Sequence, residues 1–512
     1  MQTNILAYFE NGAARHHPDK VAVVDGDTTY TFAEIERLAK CTAACLLARA
    51  DVLHRPVAVF LPKSAAVVFA DIGIVYSGNI YTNIDTVSPP QRLTNLCANI
   101  APHLVITSRT LAAQVIAAGV ALERLIYIED IEAHTDAVDS RRLWQRLAMV
   151  LDTDPLCLIN TSGSTGTPKS VVLNHRGTID FMDWVFATFD FDSQTVIGSL
   201  SPFYFDIYTL ELHLCLAKGA TLVIIPAQLA LFPVRLLAFL EAKAASFLFW
   251  VPSIMVNIAN LGLLENSRLP ALKDLFFAGE VFPMRQLNQW RRNLPHTRFV
   301  NLYGPIEIHV DCTYYVVARS FADHELLPIG QACRNTDILL LNDRDQPCAP
   351  GEQGELCVRG GSLGLGYWND LEKTAREFVQ NPLNTRYPEL IYRTGDLAFR
   401  NEDGELYLAG RRDFQIKHMG YRIELGEIEH QVLCIDGIAS ACIVYSAEAK
   451  EITLFYTVRG DAVTAATIRA ALSQVFPKYM LPTVFHVTDA LPQNSNGKID
   501  RNALLVSLSA DR

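Results

Sequence analysis

The sequence predicts an α/β protein. A large N-terminal domain of stacked α/β sheets plus a β-rich subdomain is expected, with a small α+β C-terminal domain. Three observations predict this. Short apolar runs alternate with helical stretches from the start to about residue 310, the pattern of parallel sheet packed under helices. From residue 328 the pattern changes to short strands broken by glycines. After residue 413 helix and strand alternate again, enough for a separate domain. A chain of 512 residues also exceeds what one hydrophobic core holds. The expected division is 1–412, with the β-rich part at about 328–412, and 413–512.

The elements follow in order. Val21-Ala22-Val23-Val24 is a strand, turned at Asp25-Gly26-Asp27 and returning through Thr28-Thr29-Tyr30. Thr31 and Glu34 form a capping box that opens a long amphipathic helix to about Ala50. Val57–Phe60 is a buried strand, followed by a helix from about Ser64 to Tyr76. Leu104–Thr107 and Arg124–Ile128 are further short strands. Leu156–Ile159, Leu222–Ile225, Leu248–Ser253, Leu275–Glu280 and Phe299–Glu307 are apolar runs. Several end in Gly, Pro, Ser or an acid. In open parallel sheets ligands sit at the carboxyl ends of strands, so these ends are expected to converge on one pocket.

Half of the residues are apolar and 19% are charged, ordinary for a globular enzyme. The net charge is -11 and no Lys/Arg cluster exists, which argues against nucleic acid or a membrane surface as partner. An anion such as ATP must then be attracted by local groups. No signal peptide and no apolar stretch of membrane-spanning length is read. The 11 cysteines are scattered without Cys-x-x-Cys pairs and are expected to be reduced, in a cytoplasmic protein.

One stretch stands out: Thr161-Ser162-Gly163-Ser164-Thr165-Gly166-Thr167-Pro168-Lys169. Small residues let backbone N–H groups close around an anion, hydroxyls add donors and the lysine adds charge. It lacks the Walker A spacing, so P-loop kinases and GTPases lose ground. A polar surface loop is the ordinary role of such a cluster, and taken alone loop and polyphosphate cradle weigh evenly.

Ordered motifs at 161–169, 301–307, 354–368, 392–397, 410–427, 477–482 and 494–501 make the chain resemble the adenylate-forming superfamily over nearly its whole length. That family holds acyl-CoA synthetases, aryl ligases, luciferases and the adenylation domains of nonribosomal peptide synthesis. The resemblance implies a two-step reaction. A carboxylate attacks the α-phosphate of Mg-ATP to give an acyl-adenylate and pyrophosphate; a thiol then takes the acyl group. The physical demand is positioning and charge stabilisation around a crowded phosphorus.

The resemblance also implies roles. Thr161, Ser162, Gly163, Ser164, Thr165 and Gly166 bind the pyrophosphate end, with Lys169 as a mobile cation. Tyr303 and Gly304 flank adenine, and Glu307 ligates Mg²⁺. Asp396 takes the ribose hydroxyls and Arg411 supports ribose or phosphate. Lys498 lies between the substrate carboxylate and the α-phosphate as the catalytic cation. Asp413 is the hinge of the small domain, and Gly420 lines the thiol tunnel. Three departures from the family pattern occur. Ser170 stands where glycine is usual, Ile306 replaces the threonine of Tyr-Gly-Pro-Thr-Glu, and His309 follows Glu307 by two. A lone histidine is more often structural than catalytic.

Phe205-Asp206 resembles the amino-acid-activating branch, where this Asp pairs with the substrate ammonium; an N-cap is its ordinary role. The family's other pocket positions are expected at Ile207, Leu210, Trp250, Phe276, Ala278, Leu302, Val310 and Asp311. Nearly all are apolar, and the set resembles that of free-standing prolyl-AMP ligases. A compact cyclic or aromatic amino acid, proline-like or aminobenzoate-type, is therefore expected. No carrier module is read after Arg501. Gly360-Gly361-Ser362-Leu363 lies inside a family motif and is not an attachment site. The acceptor is thus expected to be the phosphopantetheine thiol of a separate carrier protein, in natural-product biosynthesis. Two alternatives stay open: a CoA ligase for an aryl or other small acid, which needs no Asp206, and a non-catalytic ATP-binding protein, against which the intact Lys498, Asp396 and Glu307 speak.

Overall fold

The computed structural model describes residues 2–133, 138–162, 168–412, 414–447, 449–459, 463–493 and 499–510. The expected positions Gly163, Ser164, Thr165, Gly166, Asp413 and Lys498 lie outside the described residues.

Two large sheets form the bulk of the fold. Among the described residues the first has nine strands, in the order Gln331–Ala332, Thr313–Val316, Arg298–Tyr303, Asp274–Phe277, Phe247–Trp250, Val196–Ser199, Thr221–Ile224, Val21–Asp25 and Thr28–Thr31. Its centre is parallel: Phe249 is level with Phe276, and Phe276 with Val300. The second has seven, in the order Gly366–Tyr367, Lys169–Asn174, Pro155–Thr161, Ile80–Asn83, Pro56–Phe60, Leu104–Thr107 and Leu125–Tyr127.

Helices packed against the inner faces of these sheets join them into one core. Helix Ala65–Tyr76 is buried at every residue but Ala66, and helix Ile207–Lys218 at ten positions. A helix apolar all round has no face to offer water and must lie inside. Helix Phe32–Arg49 is amphipathic and closes one side. Its entrance is the expected capping box, with Thr31 Oγ1 accepting from Glu34 N–H at 3.2 Å and Glu34 Oε2 accepting from Thr31 N–H at 2.7 Å.

The glycine-rich region forms a third, five-stranded sheet of Thr336–Leu341, Gly354–Gly360, Leu390–Arg400, Phe378–Gln380 and Leu406–Arg411. Beyond it come a hairpin, Gln415–His418 with Tyr421–Glu424, and a three-stranded sheet, Ile438–Ser446, Glu451–Val458 and Val484–Val487. Ile423, Ile428, Ile443, Leu454 and Ile468 give this smaller unit its own core. The mixed α/β class with a large and a small domain is what the sequence predicts. Among the described residues no helix is long and apolar enough to cross a membrane.

Candidate active site

The carboxyl ends of the parallel strands open on one cleft, floored by the large sheets and covered by the Gln415–Glu424 hairpin. Tyr303, Gly304, Asp396 and Arg411 line it, as do Asp206, Ile207, Ala278, Val310 and Asp311. Residues more than 200 positions apart in sequence thus share one cavity.

Antiparallel pairing sets Asp396 level with Arg411. Arg411 Nη1 donates to Asp396 Oδ1 at 2.5 Å, and the Tyr303 hydroxyl donates to Oδ2 at 2.5 Å. Burial and the Asp396 charge push the Tyr303 phenol far up, so it stays a donor. Gly304 must be glycine here, because a Cβ would stand 2.4 Å from Asp311 Cα.

Beside them the strands Pro155–Thr161 and Lys169–Asn174 run antiparallel, with Thr161 level with Lys169. Thr161 Oγ1 is buried without a hydrogen-bond partner. Ser162 Oγ is taken by the hairpin: it donates to Arg422 O at 2.7 Å and accepts from Glu424 N–H at 3.2 Å. Lys169 is 7% exposed and stands 3.7 Å from Glu307 Oε1 and 3.6 Å from Glu424 Oε1. Burial, with the Arg422 charge, lowers its amine to about 8 despite these carboxylates.

Glu307 is fully buried, and both its oxygens are engaged. Oε1 accepts from the Tyr367 hydroxyl at 2.7 Å and Oε2 from Arg422 Nη1 at 2.7 Å. Burial alone would raise this carboxyl; Arg422 and Lys169 instead hold it well below the usual range. With Arg422 on one oxygen and Tyr367 and Lys169 on the other, these residues do not fit a divalent ion in this arrangement. Among the described residues no group of three or more His, Cys, Asp or Glu could hold a metal either.

Asp206 caps helix Ile207–Lys218, its Oδ1 accepting from Ile207 N–H at 3.0 Å. The ordinary N-cap role and a place on the cleft wall therefore coexist. Burial raises its carboxyl to about 6, against the pull of Lys417 and of the Ile207 N–H. Asp311 is 2% exposed and its Oδ2 has no hydrogen-bond partner. Burial and the neighbouring Asp206 charge push it well above the carboxylate range.

The wall differs from the sequence expectation at four positions, Trp250, Phe276, Leu210 and Leu302. Trp250 does not reach the cleft. It lies on the opposite face of its strand, in a second core with Phe277, Phe282 and Trp290. Phe249 lines the cleft instead. Phe249 and Trp250 are neighbours in one strand, and a shift of one residue in a strand reverses the face. Phe276, Leu210 and Leu302 are buried behind the lining and do not form it. Phe276 backs Phe249, their ring centroids 6.2 Å apart.

His309 is fully buried outside the lining. Its Nδ1 is 2.8 Å from Ser362 O, and its Nε2 can accept from Asn174 N–H at 3.1 Å, so a neutral ring satisfies both. Burial lowers its pKa, which favours that form. His309 and Val310 both have φ of +57°, a strained pair that this lock holds and that presents Asp311 to the cleft.

The hairpin carries the expected Gly420 and further residues for which no role was expected. Gly420 has φ +83°, its N–H donates to Glu280 Oε1 at 2.9 Å, and a Cβ would come within 2.9 Å of Val251. Tyr421 stacks on Tyr479 at 3.5 Å and meets Phe205 edge-on at 5.1 Å. Gln415, Lys417 and Arg422 complete the cover. Arg422 and Glu424 stand in the 410–427 motif without an expected role; two charges alternating on a two-residue period were the available signal.

Comparison with known proteins identifies the family. A family model described as "AMP-binding enzyme" matches residues 9–368, and one described as "AMP-binding enzyme C-terminal domain" matches residues 427–498. Tyrocidine synthase 1 of Brevibacillus parabrevis is 30% identical over 493 residues, 96% of this chain and 44% of its own length. The L-proline--[L-prolyl-carrier protein] ligase of Pseudomonas fluorescens is 28% identical over 494 residues, 95% of this chain and 96% of its own. The solved structure of holo-PA1221, an NRPS protein containing adenylation and PCP domains, superposes with a TM-score of 0.84 at 25% identity, covering 99% of this chain and 84% of that one. Of the first three curated relatives the chain spans 44%, 19% and 7% of the length.

Proposed function

The chain belongs to the AMP-binding enzyme family, and on that premise we propose that it is an AMP-forming ligase that activates a compact cyclic or aromatic amino acid as its acyl-adenylate and passes the acyl group to the phosphopantetheine thiol of a separate carrier protein. One observation carries the reading. A carboxylate able to meet an ammonium, Asp206, and a group suited to a nucleotide, Tyr303 with Asp396 and Arg411, line one cleft. A substrate carboxylate held between them would meet the α-phosphate of ATP. Thr161, with its unpartnered buried hydroxyl, and Lys169 are suited to the polyphosphate.

Lys498 is proposed to place its ammonium between the two reacting groups and to stabilise the charge that develops there. The docked hairpin is proposed as the arrangement for the second step. Gly420 then leaves room for a slender thiol arm beside Val251, and Tyr421 and Tyr479 guard the mouth. No step is routed through a metal ion, since Glu307 has no oxygen to spare here.

Pyrophosphate exchange across a panel of amino and aminoaryl acids tests the first step, and loading of a holo carrier protein against CoA tests the second. Activity confined to acidic or long basic acids would refute the substrate class. Transfer to CoA alone would favour the CoA-ligase alternative.

A further inference from the structure

The proposed amino-acid site holds one carboxylate more than a single ammonium needs. Asp206 is placed by its helix start, and one of its oxygens already accepts from Ile207 N–H. Asp311 is placed by the strained turn at His309–Val310, where Gly304 presses on its backbone. Asp311 is 98% buried by its 2% exposure, lines the cleft, and leaves Oδ2 without a partner among the described residues. Neither carboxylate forms an ion pair with any described residue. The cation that bears on both is Lys417, and it arrives on the hairpin of the small domain. The large domain, left to itself, offers these two acids no counter-charge. A buried carboxyl with neither charge partner nor hydrogen bond stays protonated, and an ammonium brought beside it by a ligand would ionise it and pair with it.

We propose that the acid activated here carries a second basic nitrogen close to its α-carbon, its α-ammonium meeting Asp206 and its second nitrogen meeting Asp311. The inference rests on the amino-acid-activating reading above and revises its substrate class, which then takes in short open-chain acids as well as small rings. The class is a short-chain diamino acid or a small ring bearing an extra amine. Ile207, Phe249, Ala278 and Val310, with Phe276 closing the space behind Phe249, favour a short carbon skeleton over a long basic tail.

Pyrophosphate exchange with 2,3-diaminopropionate, 4-aminoproline, proline and 2-aminobenzoate tests it on wild type, Asp311→Asn and Asp311→Ser. A site built to bond a substrate N–H rejects the analogue that lacks it, so kcat/KM for a diamino acid should exceed that for its monoamino counterpart by about 100-fold or more. The ratio should shrink to about tenfold or less in both variants, each first shown to melt as a folded protein. Wild-type preference for a monoamino acid overturns the inference while leaving the ligase reading intact, as does a ratio unchanged in both variants. Exchange with none of the four acids, nor with any other, overturns both.

Discussion

Arg422 donates to Glu307 Oε2 at 2.7 Å, tying the small domain's hairpin to the floor of the cleft. Both groups are buried, Glu307 completely and Arg422 at 10% side-chain exposure. Removing one partner of such a pair destabilises the paired arrangement by about 3–5 kcal/mol, because a charge is left uncompensated. Lys169 and Tyr367 still touch Glu307, so the loss falls on hairpin docking before it falls on folding. Arg422→Ala should therefore slow thiol transfer at least about tenfold while pyrophosphate exchange falls less. Separate assays of the two half-reactions check this; equal losses in both would contradict it.

Asp206 sets a pH dependence. Burial raises its carboxyl to about 6. A raised carboxyl favours the protein below the ordinary value of 3.8, and that contribution is lost as pH rises through about 6. An ammonium substrate needs the ionised form, so its binding should run the other way. Affinity should weaken by up to about tenfold for each pH unit below about 6 and level off above it. Calorimetric titration of the amino acid across this range checks the trend. The slope should vanish in Asp206→Asn; a wild-type profile flat through pH 6 would contradict the assignment.

Phe249 and Trp250 are neighbours with opposite duties. Phe249 faces the cleft, and Trp250 fills the second core with Trp290. Phe249→Leu should change the order of preferred acids in an exchange panel. Trp250→Phe should leave that order alone and lower the melting temperature, since a core truncation loses packing and leaves a cavity. The reverse pattern would restore the sequence-based placement.

Tyr303 and Arg411 hold Asp396 from two sides, at 2.5 Å each. If Asp396 receives the ribose, Asp396→Ala should raise KM for ATP about 100-fold, the loss of a charge-assisted pair of hydrogen bonds at about 1.5–3 kcal/mol each. Tyr303→Phe, which removes one supporting donor, should raise it by about tenfold or less. Steady-state kinetics with ATP varied decide between this and unchanged KM values.

Much of the fold was legible because strongly periodic segments leave little choice. The capping box at Thr31 and Glu34 and the apolar runs at Pro56–Phe60 and Asp274–Phe277 sit where local chemistry puts them. The family resemblance pointed to Asp206 and Asp396, and both line the cleft. The site was not legible where a single residue of register decides the face, as at Phe249 and Trp250. Nor was the pairing of Arg422 with Glu307 legible, since it joins positions 115 apart in two domains. The double left-handed turn at His309 and Val310 follows from a histidine bonded to Asn174 and Ser362, and such a lock exists only once the chain is folded.

Amino-acid-dependent exchange of pyrophosphate into ATP, measured on wild type and on Lys498→Ala, tests the central claim most directly. The account predicts exchange with a compact amino acid by the wild type. It predicts a loss of most of that rate in Lys498→Ala, with ATP still bound. Exchange at the full rate in Lys498→Ala, or no pyrophosphate release by the wild type with any carboxylic acid, would contradict it.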